Sequence, residues 1–378
     1  MTDSERARFW TACGATAAET AELTAYARSG FDAAQFDRPF ECPLPDEPFV
    51  TAWEEYIARA GHIGAIASLR RALIQLRFPI REGMSGDADY LAAVRRGAWS
   101  GDIDGAEGVR FAQPGAIRLF MHETAAGRVP VVVAGAREDF VALVQALTRR
   151  NEPTPIPDAM GACIIAGYND WERIAALGAA FPALAGDKSL YQDRFILLSS
   201  GPYSGVPAED VGVADATWRS MSVTIRLEHE CAHFVTRQAL GTMRNSMLDE
   251  VIADHAGIVA ARRRYRAQWF LRFVGLDTPE GCRPDGRIHT YRGAPPLSDG
   301  AFAVLQQAVR AVAATLETFD AGRAADERSP LDTARTIVAL ARVGLEGLAG
   351  ADAIDRLHAA LADASRTVIP RASVASIA

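Results

Sequence analysis

The chain has 378 residues, 49% hydrophobic and 23% charged, enough for two or three domains with full cores; this excludes a disulfide-held miniature scaffold and a largely disordered chain. Forty basic against 47 acidic residues give a net charge of −7, so no overall positive field draws in a nucleic-acid backbone. Five cysteines, Cys13, Cys42, Cys163, Cys231 and Cys282, form no C-x-x-C pair, which argues against a disulfide framework or a thiolate zinc knuckle. The opening MTDSERARFW lacks the basic start and apolar stretch of a secretory signal, and no window reaches about 18 consecutive apolar residues. The expected setting is therefore soluble and cytoplasmic, with neither membrane nor nucleic acid as a partner. Lys188 is the only lysine and lacks the preceding glycine of a phosphate-binding P-loop.

Apolar residues recur at three- and four-residue steps from Arg6 to about Arg28 and from about Pro48 to Arg77, predicting helices joined by the proline-rich connector FDRPFECPLPDEP. Residues 1–115 are expected to form a mainly helical N-terminal region. From Ile117, IRLFMHE and VPVVVAGA, separated by TAAGR, predict a hairpin, followed by a helix over 138–149. Ala162–Ala166 and RFILLSS predict two more strands, with the helix NDWERIAAL between them, giving a mixed sheet of about four strands within residues 116–214. A long helix is expected from Asp215 or Thr217, and residues 215–378 should be nearly all helical apart from the Gly- and Pro-rich stretch 275–299. The fold class is α+β.

Within the long helix, His229-Glu230-Cys231-Ala232-His233 is an H-E-x-x-H pattern. Residues four apart differ by about 40° around a helix, so both imidazoles leave one face and can grip a single zinc ion. Glu230 is placed to take a proton from metal-bound water and pass it to a leaving amine. A hydrolytic zinc needs a third protein ligand. The following helical stretch, NSMLDEVIADHAGIVAA, offers Glu250, and Asp254 on the same face can accept a hydrogen bond from a ligand imidazole.

H-E-x-x-H followed by E-x-x-x-D on the next helix resembles the gluzincins, zinc metallopeptidases of the thermolysin and aminopeptidase kind, over about Trp218 to Ala261. The resemblance implies a zincin-like catalytic domain over 116–378. It implies one zinc per chain on His229, His233 and Glu250, Glu230 as general base, and Asp254 as orienting partner. It also implies a downstream group for the oxyanion. PDGRIHTYRG offers His289, with Asp285 before it and Tyr291 after it. An extended substrate is expected along an edge strand, here Leu198, Ser199, Ser200 and Gly201.

Some deformylase-type enzymes complete H-E-x-x-H with an upstream strand cysteine, which leaves Cys163 as an alternative to Glu250. Cys231, about 200° from His229, should pack inward, and His255 should face away. FMHETAAG lacks a second histidine. ARRRYRAQWFLRF reads as a solvated helix face over an aromatic one. The expected function is zinc-dependent hydrolysis of a peptide or amide bond. Its alternatives are a zinc hydrolase of a small amide or biosynthetic intermediate, and a non-catalytic regulatory or binding protein on a zincin scaffold.

Overall fold

The computed structural model describes residues 1–28, 31, 33–99, 108–241, 246–278, 281–323 and 329–371. In chain order the elements are α1 (Asp3–Ala12), α2 (Ala17–Tyr26), α3 (Ala33–Phe36), β1 (Phe40–Cys42), α4 (Phe49–Ile63), α5 (Ala65–Ala72) and α6 (Ala88–Arg96). There follow β2 (Arg118–Thr124), β3 (Gly127–Ala134), α7 (Arg137–Thr148), β4 (Ala162–Asn169), α8 (Trp171–Leu177), α9 (Phe181–Leu184) and β5 (Gln192–Ser199). The rest comprises α10 (Ala208–Val211), α11 (Asp215–Leu240), α12 (Met247–Arg262), α13 (Ala267–Val274), α14 (Asp299–Ala321), α15 (Pro330–Ala349), α16 (Ala353–Thr367) and β6 (Val368–Pro370). The architecture is α+β, as expected.

Two compact units divide the chain, and they do not follow the compositional boundary near residue 115. One contains residues 1–44, 124–126 and 202–378; the other contains 45–123 and 127–201. The N-terminal helices α1 and α2 thus belong with the C-terminal half. Parallel pairing of β1 with β6, with Phe40 opposite Val368, joins residues more than 300 apart in sequence, which no local pattern reveals.

The opening helical stretches are each broken by glycine. Gly14 takes φ 91°, and a new helix starts at Thr16, whose side chain and Glu19 form a reciprocal capping box. Gly64, at φ 88°, separates α4 from α5 in the same way.

In the sheet unit the strand order is β2-β3-β5-β4, with β3 parallel and β4 antiparallel to β5. β5 is therefore interior: Leu198 pairs with Val133 on one side and Ala162 on the other. The expectation that Leu198, Ser199, Ser200 and Gly201 form an edge able to receive an extended substrate is corrected for Leu198 and Ser199, which lie in β5 with both of its edges taken; Ser200 and Gly201 follow the strand, Ser200 N–H donating to the Ala134 carbonyl at 3.2 Å. Phe195 and Leu197 pack with Trp53, Tyr56, Val132, Phe140 and Leu143 in the core.

Buried within that core are two carboxyl groups. Trp53 Nε1 donates to Asp193 Oδ2 at 2.8 Å, and the Tyr56 hydroxyl donates to Asp170 Oδ2 at 2.7 Å, while Asp170 Oδ1 caps the start of α8. Burial, then the charge of Asp170, pushes Asp193 up to about 8, against the opposing pull of Arg173, with which it pairs.

In the helical unit, α11 ends at Gly241 (φ 72°), and α12 begins at Ser246, whose hydroxyl caps Asp249 N–H. These helices approach closely at Gly257, where an added Cβ would lie 2.6 Å from the Ile225 carbonyl oxygen. Elsewhere in this unit Trp218 packs edge-on against Trp269 at 5.3 Å. The basic run is partly consumed internally: Arg262 lies over Trp269 at 4.5 Å, and Arg264 donates to the Asp320 and Arg323 carbonyls. No helix among the described residues is long and apolar enough to cross a membrane.

Two predictions follow from packing and charge. In an open helix, Gly to Ala would gain about 1 kcal/mol of propensity. At Gly257 the backbone contact reverses the sign, and Gly257→Val is expected to cost about 1–3 kcal/mol in denaturant unfolding. For Asp193, a folded-state pKa above the ordinary 3.8 means stability that is full at acidic pH and is lost as pH rises through about 8. The unfolding midpoint should fall between about pH 4 and 8, and Asp193→Asn should abolish that slope whatever its own baseline; an unchanged slope would refute the assignment.

Candidate metal centre

The H-E-x-x-H segment lies entirely within α11, so His229 and His233 project from one face as the helical period requires. Both are nearly buried, at 7% and 6% exposure, with Glu250 of α12 at 4%. The three side chains form a compact cluster of possible metal ligands. His229 Nε2 and His233 Nε2 are 3.1 Å apart, and Glu250 oxygens lie 3.6 Å from the first and 3.5 Å from the second. Ligands about 2.0–2.1 Å from a tetrahedral zinc are separated by about 3.3–3.4 Å, so these distances match the edges of such a site.

The protonation pattern points the same way. His229 Nδ1 donates to Asp254 Oδ1 at 2.9 Å, and His233 Nδ1 donates to Asp249 Oδ2 at 3.1 Å. With both rings neutral and their protons on Nδ1, each turns an Nε2 lone pair toward the other ring, and a cation between them would bind both lone pairs. Glu250 Oε2 is buried without a hydrogen-bond partner. Three carboxylates, Asp249, Glu250 and Asp254, surround the imidazoles, and Arg287 is the positive group touching two of them. With both rings neutral this leaves an excess of two negative charges, which a divalent cation would offset. The donor set of two imidazoles and one carboxylate suits zinc.

Arg287 belongs to a one-turn 3-10 segment, Arg287–Tyr291, within the stretch expected to be loop. It pairs with Asp254 Oδ2, lies 3.9 Å from Glu250 Oε2, and donates to the Tyr203 hydroxyl at 3.1 Å. Tyr203 in turn donates to Asp254 Oδ1. Burial pushes the Tyr203 phenol well up and keeps it a donor, with Asp254 adding to the shift. Burial would raise Asp254, yet Arg287 and the His229 hydrogen bond hold it below the usual carboxylate range. Glu250 is lowered likewise: burial opposes, while His233, His229 and Arg287 prevail.

Tyr291, on the same turn, is buried; burial and the neighbouring Glu250 raise its phenol, so it faces the third ligand as a protonated hydroxyl. The Tyr26 hydroxyl of α2 donates to the Tyr291 carbonyl at 2.7 Å and accepts from Met247 N–H at 3.3 Å, tying the turn to the start of α12.

His289 is placed differently from the expectation. Three residues per turn put Ile288 and Tyr291 inward and His289 outward. Its Nε2 donates to the Arg283 carbonyl at 3.0 Å and lies 3.4 Å from Cys282 Sγ. Asp285 is exposed and pairs with Arg283, so it does not orient His289. Cys231 is buried, as expected. His255 stacks on Tyr265 at 5.1 Å. Cys163 lies on β4 in the other unit, and Glu250 joins the histidines. Glu230 follows His229 on α11, half-buried.

Sequence reasoning missed Asp249, Tyr203 and Arg287. Asp249 alone left a signal: two ligand imidazoles require two acceptors, and Asp249 adjoins Glu250.

A family model matches residues 8–352, a span that contains every residue of this cluster; it is described as a family of unknown function (DUF7005). The chain belongs to this family. No curated protein and no solved structure matches it.

Removing the Asp249 charge while keeping its shape tests the orienting contacts. Asp249→Asn is expected to weaken zinc retention by about 10–100-fold in a chelator competition, with the fold retained by circular dichroism. Affinity equal to wild type would show that His233 needs no acceptor.

Proposed function

We propose that this chain is a zinc-dependent hydrolase that cleaves a peptide or amide bond. The observation that carries the reading is the convergence of His229 Nε2, His233 Nε2 and the unpartnered Glu250 Oε2 on one buried point. The order H-E-x-x-H then E-x-x-x-D supports a gluzincin-like assignment with a zincin-like core. A zinc ion held there would supply Lewis acidity and lower the pKa of water.

The chain's own residues have distinct tasks. His229, His233 and Glu250 bind the ion; Asp254 and Asp249 hold the two rings in the Nδ1–H tautomer. Glu230 serves as proton carrier, taking a proton from water and giving it to the leaving amine. The protonated Tyr291 hydroxyl, facing Glu250, is the group available to stabilise negative charge developing on the substrate oxygen. The substrate is a peptide or small amide. The five cysteines, none in a disulfide, support placing this activity in the cytoplasm.

The burial of all three ligands favours a second reading, in which the ion only braces the α11–α12 pair. Glu230→Gln separates the two. Metal content, measured by mass spectrometry, should stay near one per chain while turnover of a peptide or acyl-amide library falls by roughly 10²–10⁴-fold. Glu250→Ala should lose the metal and Cys163→Ala should keep it. Retained turnover in Glu230→Gln would refute the base assignment, and a metal-free wild type would refute the zinc reading.

A further inference from the structure

Arg287 makes a fork into the shell of groups around the proposed ion. One terminal nitrogen, Nη2, pairs with Asp254 Oδ2 and lies 3.9 Å from Glu250 Oε2; the other, Nη1, donates to the Tyr203 hydroxyl at 3.1 Å. Tyr203 returns that contact to Asp254 Oδ1, the atom that also receives His229 Nδ1–H. Both oxygens of Asp254 are thus fixed, by a guanidinium on one side and by a phenol and an imidazole on the other. Asp254 itself is fully buried. The Arg287 guanidinium also lies over the Tyr203 ring at 5.6 Å.

We infer that Arg287 is a positioning residue for the metal centre: its planar fork locks Asp254 and Tyr203, and through Asp254 the ring plane of His229, while its charge steadies Glu250. This rests on the metal reading of His229, His233 and Glu250. A lysine has the charge but presents a single point of donors, so it cannot span Asp254 Oδ2 and the Tyr203 hydroxyl from one rigid plane. The turn that carries Arg287 is held from its other end by the Tyr26 hydroxyl on the Tyr291 carbonyl, so the fork is anchored at a defined place. Placing the fork on a separate segment also makes the centre dependent on a residue 37 positions beyond Glu250, which the H-E-x-x-H pattern alone does not contain.

The test uses the full chain, stripped with a chelator and titrated with zinc against a chromophoric competitor. Wild type should bind one equivalent and His229→Ala none. Arg287→Met is expected to weaken zinc by about 10–100-fold, with Arg287→Lys recovering only part of that loss. Tyr203→Phe, which keeps the ring and removes the shared hydroxyl, should weaken it less, and serves if Arg287→Met fails to fold. The visible spectrum of the cobalt-substituted protein, which reports ligand geometry, should shift in Arg287→Met and not in Arg219→Met, which removes an exposed arginine. A wild type that holds no zinc removes the metal reading, and this role with it. If wild type binds while Arg287→Met and Tyr203→Phe bind as tightly with unchanged cobalt spectra, the metal reading stands and the role of Arg287 is overturned. Full affinity in Arg287→Lys would likewise overturn the fork.

Discussion

Two imidazole Nε2 atoms 3.1 Å apart, each ring tied through Nδ1 to a buried carboxylate, constrain everything around them. Neither ring can turn over without giving up the contact of its Nδ1 with a buried carboxylate. Those carboxylates raise the stakes: burying like charges without compensation costs several kcal/mol per ion, and Arg287 supplies only one positive charge against three negative ones. A divalent cation would complete the cluster. The close approach of α11 and α12 at Gly257 is the backbone condition for that arrangement, since it brings His229 within 2.9 Å of Asp254.

How much of this was legible depends on whether a relation lies within one helix or between distant segments. His229 with His233, and Glu250 with Asp254, are four-residue relations on single helices, and helical geometry puts each pair on one face before any tertiary contact is considered. Whether α12 meets α11 is a tertiary matter, yet the short interval between them makes it an easy inference. Asp249 was within reach by counting acceptors. Tyr203 and Arg287 were not, because they arrive from 26 residues before and 58 residues after His229 and carry no motif of their own. Around residue 289 the residue types mark the stretch as chemically able, but not its helical period. A 3-10 turn sets Tyr291 inward and leaves His289 on the solvent side, bound to a backbone carbonyl.

The sheet repeats the lesson. Strand positions followed from short branched apolar runs, but the order β2-β3-β5-β4 did not, and the edge-strand expectation failed with it. A signal was present: FILL in β5 is an unbroken apolar run, which marks a strand buried on both faces and hence interior, where an edge strand with one wet face alternates. The glycine breaks at Gly14 and Gly64 had a signal as well, since T-A-A-E just after Gly14 is a capping box in plain view. The domain division had none, because β1 and β6 pair across almost the whole chain.

The expense of the centre bears on what it is for. A buried set of two histidines, three carboxylates, an arginine and a tyrosine is poor material for stability alone, since apolar residues of similar volume often hold a core as well or better than ion pairs do. A cation held in a fixed geometry would give such a set a purpose beyond stability. The small exposure of the three side chains, 4–7%, would narrow what could reach an ion held among them to a water molecule or one end of a slender molecule. Burial also strengthens every charge–charge and charge–dipole contact in the cluster, because the screening of water is withdrawn. The same enclosure that raises the cost of assembling the centre therefore sharpens its hold on a cation.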